Sequence, residues 1–337
     1  MTVLVTGASG LVGSHVVEAL RAAGEHVRAL VREPSRTVVA QLGAEPVTGD
    51  VTDPDAWRRS AAGVDAIVHA AALVTQRAPL ERYLAVNVGG TRLAAEAARL
   101  ARVPLVHVSS VAVYGRTGVG LVHGRVDEDF PFQEISPRDF YARSKRMAEE
   151  VLREAAGRHR LAITVVRPNV IYGERDRHFT PRALRVARLG LVPVIGPGTN
   201  RLSCVYAGNV ASAIVTALAA QPPRFRAYHT TDDAPPWLTQ QQFATALVEG
   251  LDRRPRVVHV PRAVARAAVA LATAGQRLLR PRRYAGLGRA AVAFATADNP
   301  YTTERLRREL AWEPRIPTPE AIARTVRWFA ANDSPGP

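Results

Sequence analysis

Short, nearly continuous apolar runs alternate with longer amphipathic stretches through the first half of the chain. The runs are Val3–Val5, Val27–Val31, Ala66–His69, Leu105–Val108 and Ile163–Val166. Each is short, β-branched and nearly continuous, as a strand covered on both faces of a parallel sheet requires. Between them the spacing predicts helices over Leu11–Ala23, Pro54–Ala61, Tyr83–Ala101 and Phe140–Ala156. Strand and helix in alternation predict an α/β fold, a Rossmann-type doubly wound parallel sheet. Past Pro168 the pattern fragments, punctuated by Pro181, Pro193, Pro197, Pro222, Pro223, Pro235 and Pro236. The expected organisation is a sheet domain over 1–168, a smaller C-terminal substrate-binding lobe over 169–331, and a tail at 332–337. A helix over Ala207–Ala219, within 201–220, is expected to pack back on the sheet.

The turn after the first strand carries candidate chemistry. Gly7, Gly10 and Gly13 stand at G-x-x-G-x-x-G spacing, with Ser9, Leu11 and Val12 between them, and a helix follows at once. Glycines there allow a tight turn and a close approach of backbone N–H groups to a pyrophosphate, which the helix N-terminus also attracts. The spacing departs from the G-x-G-x-x-G of the standard dinucleotide fingerprint. The second strand ends Val31-Arg32-Glu33. A carboxylate there suits a ribose 2′-hydroxyl, and a guanidinium suits a 2′-phosphate. Arg32, reinforced by Arg36, favours NADP (NADPH), while Glu33 keeps NAD possible.

Composition sharpens one position. The chain has 337 residues with 45 basic and 30 acidic, a net charge of +15, and every basic residue but Lys145 is an arginine. The arginines are scattered and not interleaved with aromatics, so the charge reads as a compositional habit, and nucleic acid is not an expected partner. Lys145, by contrast, stands four residues after Tyr141 and so on the same helix face. Tyrosine is a poor acid–base group at its ordinary pKa, and a fixed ammonium nearby is expected to lower that value. Ser109 and Ser110 end the Leu105–Val108 strand, where open α/β sheets bind ligands.

These residues occur in one order: the T-G-x-x-G-x-x-G loop, Asp50-Val51, His69-Ala70-Ala71-Ala72, Asn87-Val88-Gly89-Gly90-Thr91, Ser109-Ser110-Val111-Ala112-Val113-Tyr114-Gly115, Tyr141-x-x-x-Lys145 and Arg167-Pro168. Together they resemble the extended short-chain dehydrogenase/reductase superfamily across essentially the whole chain. The resemblance implies that Tyr141 is the general acid/base, that Ser110 hydrogen-bonds the substrate oxygen, and that Lys145 holds the nicotinamide ribose. It further implies cofactor contacts from Asp50 and Val51, Ala70, Ala71 and Ala72, Ser109, and Pro168 and Val170, with Asn87 in a structural role. Val111 and Ala112 replace the Asp-Glu pair of the sugar-nucleotide dehydratases, so dehydration lacks its acid and base. Arg201–Ala211, Asp298–Tyr301 and Val27–Arg32 look like 3β-hydroxysteroid dehydrogenase-, dihydroflavonol reductase- and 3-oxoalkanoate reductase-like members.

The reading that follows is an NADP(H)-dependent oxidoreductase acting on an apolar ketone or secondary alcohol. A nucleotide-sugar epimerase with tightly bound NAD and a non-catalytic dinucleotide sensor are the alternatives. The family's helices imply a homodimer through 83–101 and 140–156. His69, His107, His123, His178 and His229 lack metal-ligand spacing, so no metal is expected. His123 and the Gly118–Asp139 loop are candidates to line the substrate. The single cysteine, Cys204, and the immediate strand at Thr2–Thr6 point to the cytoplasm and against a secretory signal. The Ala263–Gly275 stretch contains Arg266 and is too short for a transmembrane segment, and Ala263–Leu279 reads as a packed helix, with a substrate lid or peripheral membrane contact as alternatives.

Overall fold

The computed structural model describes the chain except residues 75–77, 116–124, 221–223, 234–237, 280–294 and 333–337. His123 and the first part of its loop therefore lie outside the described residues. The strands are β1 (Thr2–Thr6), β2 (His26–Val31), β3 (Glu45–Thr48), β4 (Ala66–His69), β5 (Leu105–Val108), β6 (Ile163–Pro168), β7 (Val170–Tyr172), β8 (Leu191–Ile195), β9 (Cys204–Tyr206), β10 (Phe225–Thr230) and β11 (Arg256–Val260). The helices are α1 (Leu11–Ala22), α2 (Arg36–Gln41), α3 (Pro54–Ser60), α4 (Leu80–Tyr83), α5 (Gly90–Ala101), α6 (Phe140–His159), α7 (Thr180–Ala187), α8 (Ala207–Ala220), α9 (Gln240–Glu249), α10 (Arg262–Leu279), α11 (Glu304–Leu310) and α12 (Thr318–Asn332).

A seven-stranded sheet runs β10-β6-β5-β4-β1-β2-β3, every pair parallel. Alternate residues explain its two coats. Val3, Val5, Val27, Ala29, Val68, Val106 and Val166 share one core with Val16, Val17 and Leu20 of α1 and Val210, Ile214 and Leu218 of α8. Leu4, Leu30, Ile67, Leu105, Ile163 and Val165 share the other with Trp57 of α3, Ala94 and Ala98 of α5, and Leu152 of α6. The strand order reverses between β1 and β4, which opens a ligand crevice at their carboxyl ends. A further core joins Tyr172, Leu184, Val192, Phe243, Leu247, Val326 and Phe329, from β7, α7, β8, α9 and α12.

Each of the five apolar runs forms a strand of the sheet, and Rossmann-type winding is observed. Two strands escape the pattern. β3 is an edge strand, only partly covered. β10 carries Arg226 and His229, polar residues whose partners are remote in sequence: Glu309 receives the guanidinium, and Tyr114 meets the imidazole. The helix expected over Tyr83–Ala101 is built as α4, a π-helical turn over Leu84–Gly89, and α5. That wider turn sits at Asn87, in keeping with the placement of π turns near functional sites. The packed-helix expectation for Ala263–Leu279 fails over the described part of α10. Between Arg262 and Leu271 only Ala265 is buried.

Candidate active site and cofactor cradle

The loop from β1 to α1 is shaped by close backbone approach. Gly7 adopts φ +69°, and a Cβ there would sit 2.7 Å from the Ala71 amide nitrogen. A Cβ on Gly13 would lie 2.1 Å from the Gly7 carbonyl oxygen, so α1 can begin this close to the loop only without a side chain. Gly10 N–H donates to the Gly7 carbonyl at 2.9 Å and closes the turn. The first amides of an α-helix have no intrahelical acceptor, so the start of α1 offers donors to an anion. A Gly13→Ala variant is expected to displace this loop and weaken NAD(P) binding at least about tenfold, measured by titration with the reduced coenzyme.

The walls of the cradle are pinned. Thr6 receives the Ala70 amide on its carbonyl at 3.2 Å and the Ala71 amide on its hydroxyl at 3.3 Å. Buried Asn87 accepts from Leu73 N–H at 2.7 Å and donates to the Leu73 carbonyl at 3.1 Å and the Ser144 hydroxyl at 2.9 Å. It thereby ties the Ala70–Ala72 segment to α6. Burial pushes the Asp50 carboxyl up, but two Thr52 hydrogen bonds and the charges of Arg32 and Arg82 bring it below its ordinary value. The Val51 carbonyl accepts from the Trp57 indole at 2.9 Å. Arg32 and Arg36 are exposed at the end of β2, whereas the Glu33 carboxylate receives the Thr48 hydroxyl at 3.0 Å. The Ser9 hydroxyl donates to Ser35 at 3.0 Å.

Ser110, Tyr141 and Lys145 converge above the carboxyl end of β5. Asp139 caps α6 by accepting from Ala142 N–H at 3.1 Å, which sets the first turn bearing Tyr141. Ser110 caps the following 3-10 turn through Ala112 N–H at 3.2 Å and shares a side-chain hydrogen bond with the Tyr141 hydroxyl. Buried Lys145 donates to the Val108 carbonyl at 2.7 Å, one of the three bonds an ammonium can make. Burial pulls Lys145 down to about 8, opposed by the Glu149 carboxylate. The expected lowering of Tyr141 is not observed. Burial carries its phenol up to about 12; the Ser110 hydrogen bond opposes this, and Asp139 and Tyr83 add to it. The buried imidazoles of His69 and His107 are pushed down by burial first and by the Lys145 ammonium second, His69 to about 3.

Behind the triad lies an ion-pair network that the sequence reading did not identify. Glu149 stands one turn after Lys145 and is buried. It receives Arg167 Nε at 3.0 Å and Nη2 at 2.6 Å, and the Ser109 hydroxyl at 2.5 Å. Ser109 is thus turned inward, and its side chain is not available to a cofactor. Arg167 Nη1 donates to the Tyr114 hydroxyl at 2.7 Å, which meets His229 Nε2 at 2.6 Å. The available signal was a carboxylate on the Ala148/Leu152/Ala156 face of a helix and a guanidinium inside an apolar strand. Pro168 ends β6 beside Asn169, whose amide donates to Ser203 at 3.1 Å and also reaches Thr231; Val170 opens β7.

The glycine cradle and the ammonium of Lys145 fit a nicotinamide dinucleotide. A model of the NAD dependent epimerase/dehydratase family matches residues 3–228, and the chain belongs to that family. It is an NAD(P)-dependent oxidoreductase of the extended short-chain type. The chain is similar to 4-hydroxy-2-methyl-3-oxo-4-farnesyl-3,4-dihydroquinoline-1-oxide ketoreductase of Stigmatella aurantiaca, at 34% identity over 94% of this chain and 93% of that one. An Escherichia coli O157:H7 relative, N-acetyl-alpha-D-glucosaminyl-diphospho-ditrans,octacis-undecaprenol 4-epimerase, is 32% identical over 77% and 75% of the two chains. UDP-glucuronic acid 4-epimerase of Bacillus cereus, solved with NAD, shares the fold at a TM-score of 0.75 and 16% identity, covering 98% of this chain and 99% of its own.

Proposed function

We propose that the chain reduces a ketone bearing a long apolar tail to the secondary alcohol, with NADPH as hydride source. The observation that carries this is the hydrogen bond between Ser110 and a Tyr141 hydroxyl held in its protonated form. A buried, protonated phenol is a proton donor, which is what a carbonyl oxygen needs as it becomes an alkoxide. Ser110 and Tyr141 together polarise that oxygen and stabilise the charge it gains. Lys145 positions the ribose, and its remaining N–H donors hold the hydroxyls. A bound dihydronicotinamide supplies the hydride. The farnesyl and undecaprenol groups in the names of the two relatives support a polyisoprenoid or comparable tail on the substrate.

The preference for NADPH rests on the end of β2. Arg32 and Arg36 are exposed there, and Glu33, the residue a ribose 2′-hydroxyl would need, is engaged by Thr48. Arg32→Ala is expected to cut the NADPH-over-NADH ratio of kcat/KM by roughly tenfold or more, from the loss of a charge-assisted contact to phosphate. An unchanged ratio would remove the basis of the assignment. The epimerase relative and NAD-bound neighbour favour a second reading, a sugar epimerase that retains NAD. Dinucleotide released from the purified, denatured chain would support it, and coenzyme-dependent consumption of ketone would exclude it. A homodimer through α5 and α6 and a cytoplasmic location belong to the same proposal. Among the described residues no helix is long and apolar enough to cross a membrane.

A further inference from the structure

Large hydrophobic side chains are exposed at twelve positions among the described residues, and six of them gather in one region: Val186, Leu189, Val257, Val258, Val264 and Leu271. Leu189 is 71%, Val264 55% and Leu271 75% exposed. The elements adjoin. β11 pairs with β8, the Arg256 amide donates to the Gly190 carbonyl at 2.7 Å, and α10 follows directly after Pro261. On α10, Val264, Ala267, Ala268 and Leu271 fall at i, i+3, i+4 and i+7, a single face, and all four are exposed. Buried Ala265 and half-buried Val269 mark the other side, which rests on the protein.

Charge distinguishes this region further. From Arg253 to Ala297 the sequence holds ten arginines and not one aspartate or glutamate. Several arginines elsewhere are answered by carboxylates, as Arg226 is by Glu309, Arg307 by Asp233 and Arg324 by Glu320. Here Arg253, Arg254, Arg256 and Arg266 stand exposed, the first three before and at the start of β11 and Arg266 on α10. The first turn of α10 contains no acidic residue either.

We infer that α10 and β11 dock the protein on an anionic phospholipid surface, the helix lying in the plane of the interface. Aliphatic residues on a convex helix, flanked by arginines, are the composition of an interfacial helix. A second copy is disfavoured, since it would bring two acid-free arginine stretches together. Among the described residues no helix is long and apolar enough to cross a bilayer, and the mode inferred is peripheral. Docking goes beyond the proposed reduction and does not depend on it.

The test is flotation of the full chain with phosphatidylcholine vesicles prepared with and without phosphatidylglycerol. Binding is expected to be at least about tenfold tighter with phosphatidylglycerol and to weaken as salt is raised. Arg253→Gln, Arg254→Gln and Arg256→Gln together are expected to weaken it roughly a hundredfold, at about fivefold for each arginine. Val264→Asp with Leu271→Asp is expected to abolish it while melting temperature and coenzyme binding stay unchanged. Failure of the wild type to float, or equal flotation with both vesicles, overturns the inference. So does full retention by the double aspartate variant. Loss of a dimer in that variant, with no vesicle binding by the wild type, would assign the face to a second copy.

Discussion

Tyr141→Phe is expected to lower kcat/KM for ketone reduction by about two to four orders of magnitude, the range for losing a general acid. KM and coenzyme affinity should change little, because the phenol ring and the cradle remain. The loss should therefore appear in kcat, which is the signature of an interaction made in the transition state. The pH profile adds an independent reading. Tyr141 is held up to about 12 by burial and stays protonated through neutral pH, so it sets no limb there. Lys145, pulled down to about 8, loses its charge as pH rises through that value. Activity of the wild type is expected to fall above about pH 8 for this reason, and Lys145→Met should lack that limb. Tyr141-independent turnover with every ketone or alcohol tried would reject the proton-donor assignment.

Arg167→Met is expected to destabilise the fold by about 3–5 kcal/mol, the cost of stranding a buried charge. Arg167 is the only guanidinium donating to Glu149 among the described residues, and both side chains are 1% exposed. The variant leaves the carboxylate with Ser109 alone and removes the donor on Tyr114. Glu149→Leu combined with Arg167→Met should recover most of the loss, because removing both partners removes the uncompensated charge. Urea unfolding of the two variants separates these outcomes. A double variant as unstable as the single one would show that packing around Arg167, not the ion pair, is what the site requires.

Residues that act locally were legible in the sequence. A glycine loop, a tyrosine and lysine one helical turn apart, and β-branched runs are written within a few positions of each other. The structure brings Ser110 to Tyr141 as the order of motifs implied. What the sequence did not expose were relations across the chain. Glu149 and Arg167 are ordinary charges until helix and strand close over them. The proton affinity of Tyr141 went the opposite way to expectation, because burial of the phenol, a relation set by the whole fold, outweighs the Ser110 hydrogen bond that opposes it. The charge reading also needed refinement. The arginines are scattered, but the carboxylates are not, and their absence from 253–297 was countable in the sequence.

The sheet is woven in a way that bears on modularity. After β6 the chain leaves for the second lobe, returns as α8 against α1, and adds β10 to the edge of β6 before leaving again. A fragment ending at Pro168 would expose the β6 edge and strip α8 from the Val16/Val17/Leu20 face. Exchanging the segments outside the sheet between relatives therefore needs two grafts, one on each side of the α8–β10 return, rather than a single crossover. A lineage diversifying its substrates faces the same constraint: recombination at one point breaks the sheet, and change must accumulate within the excursions.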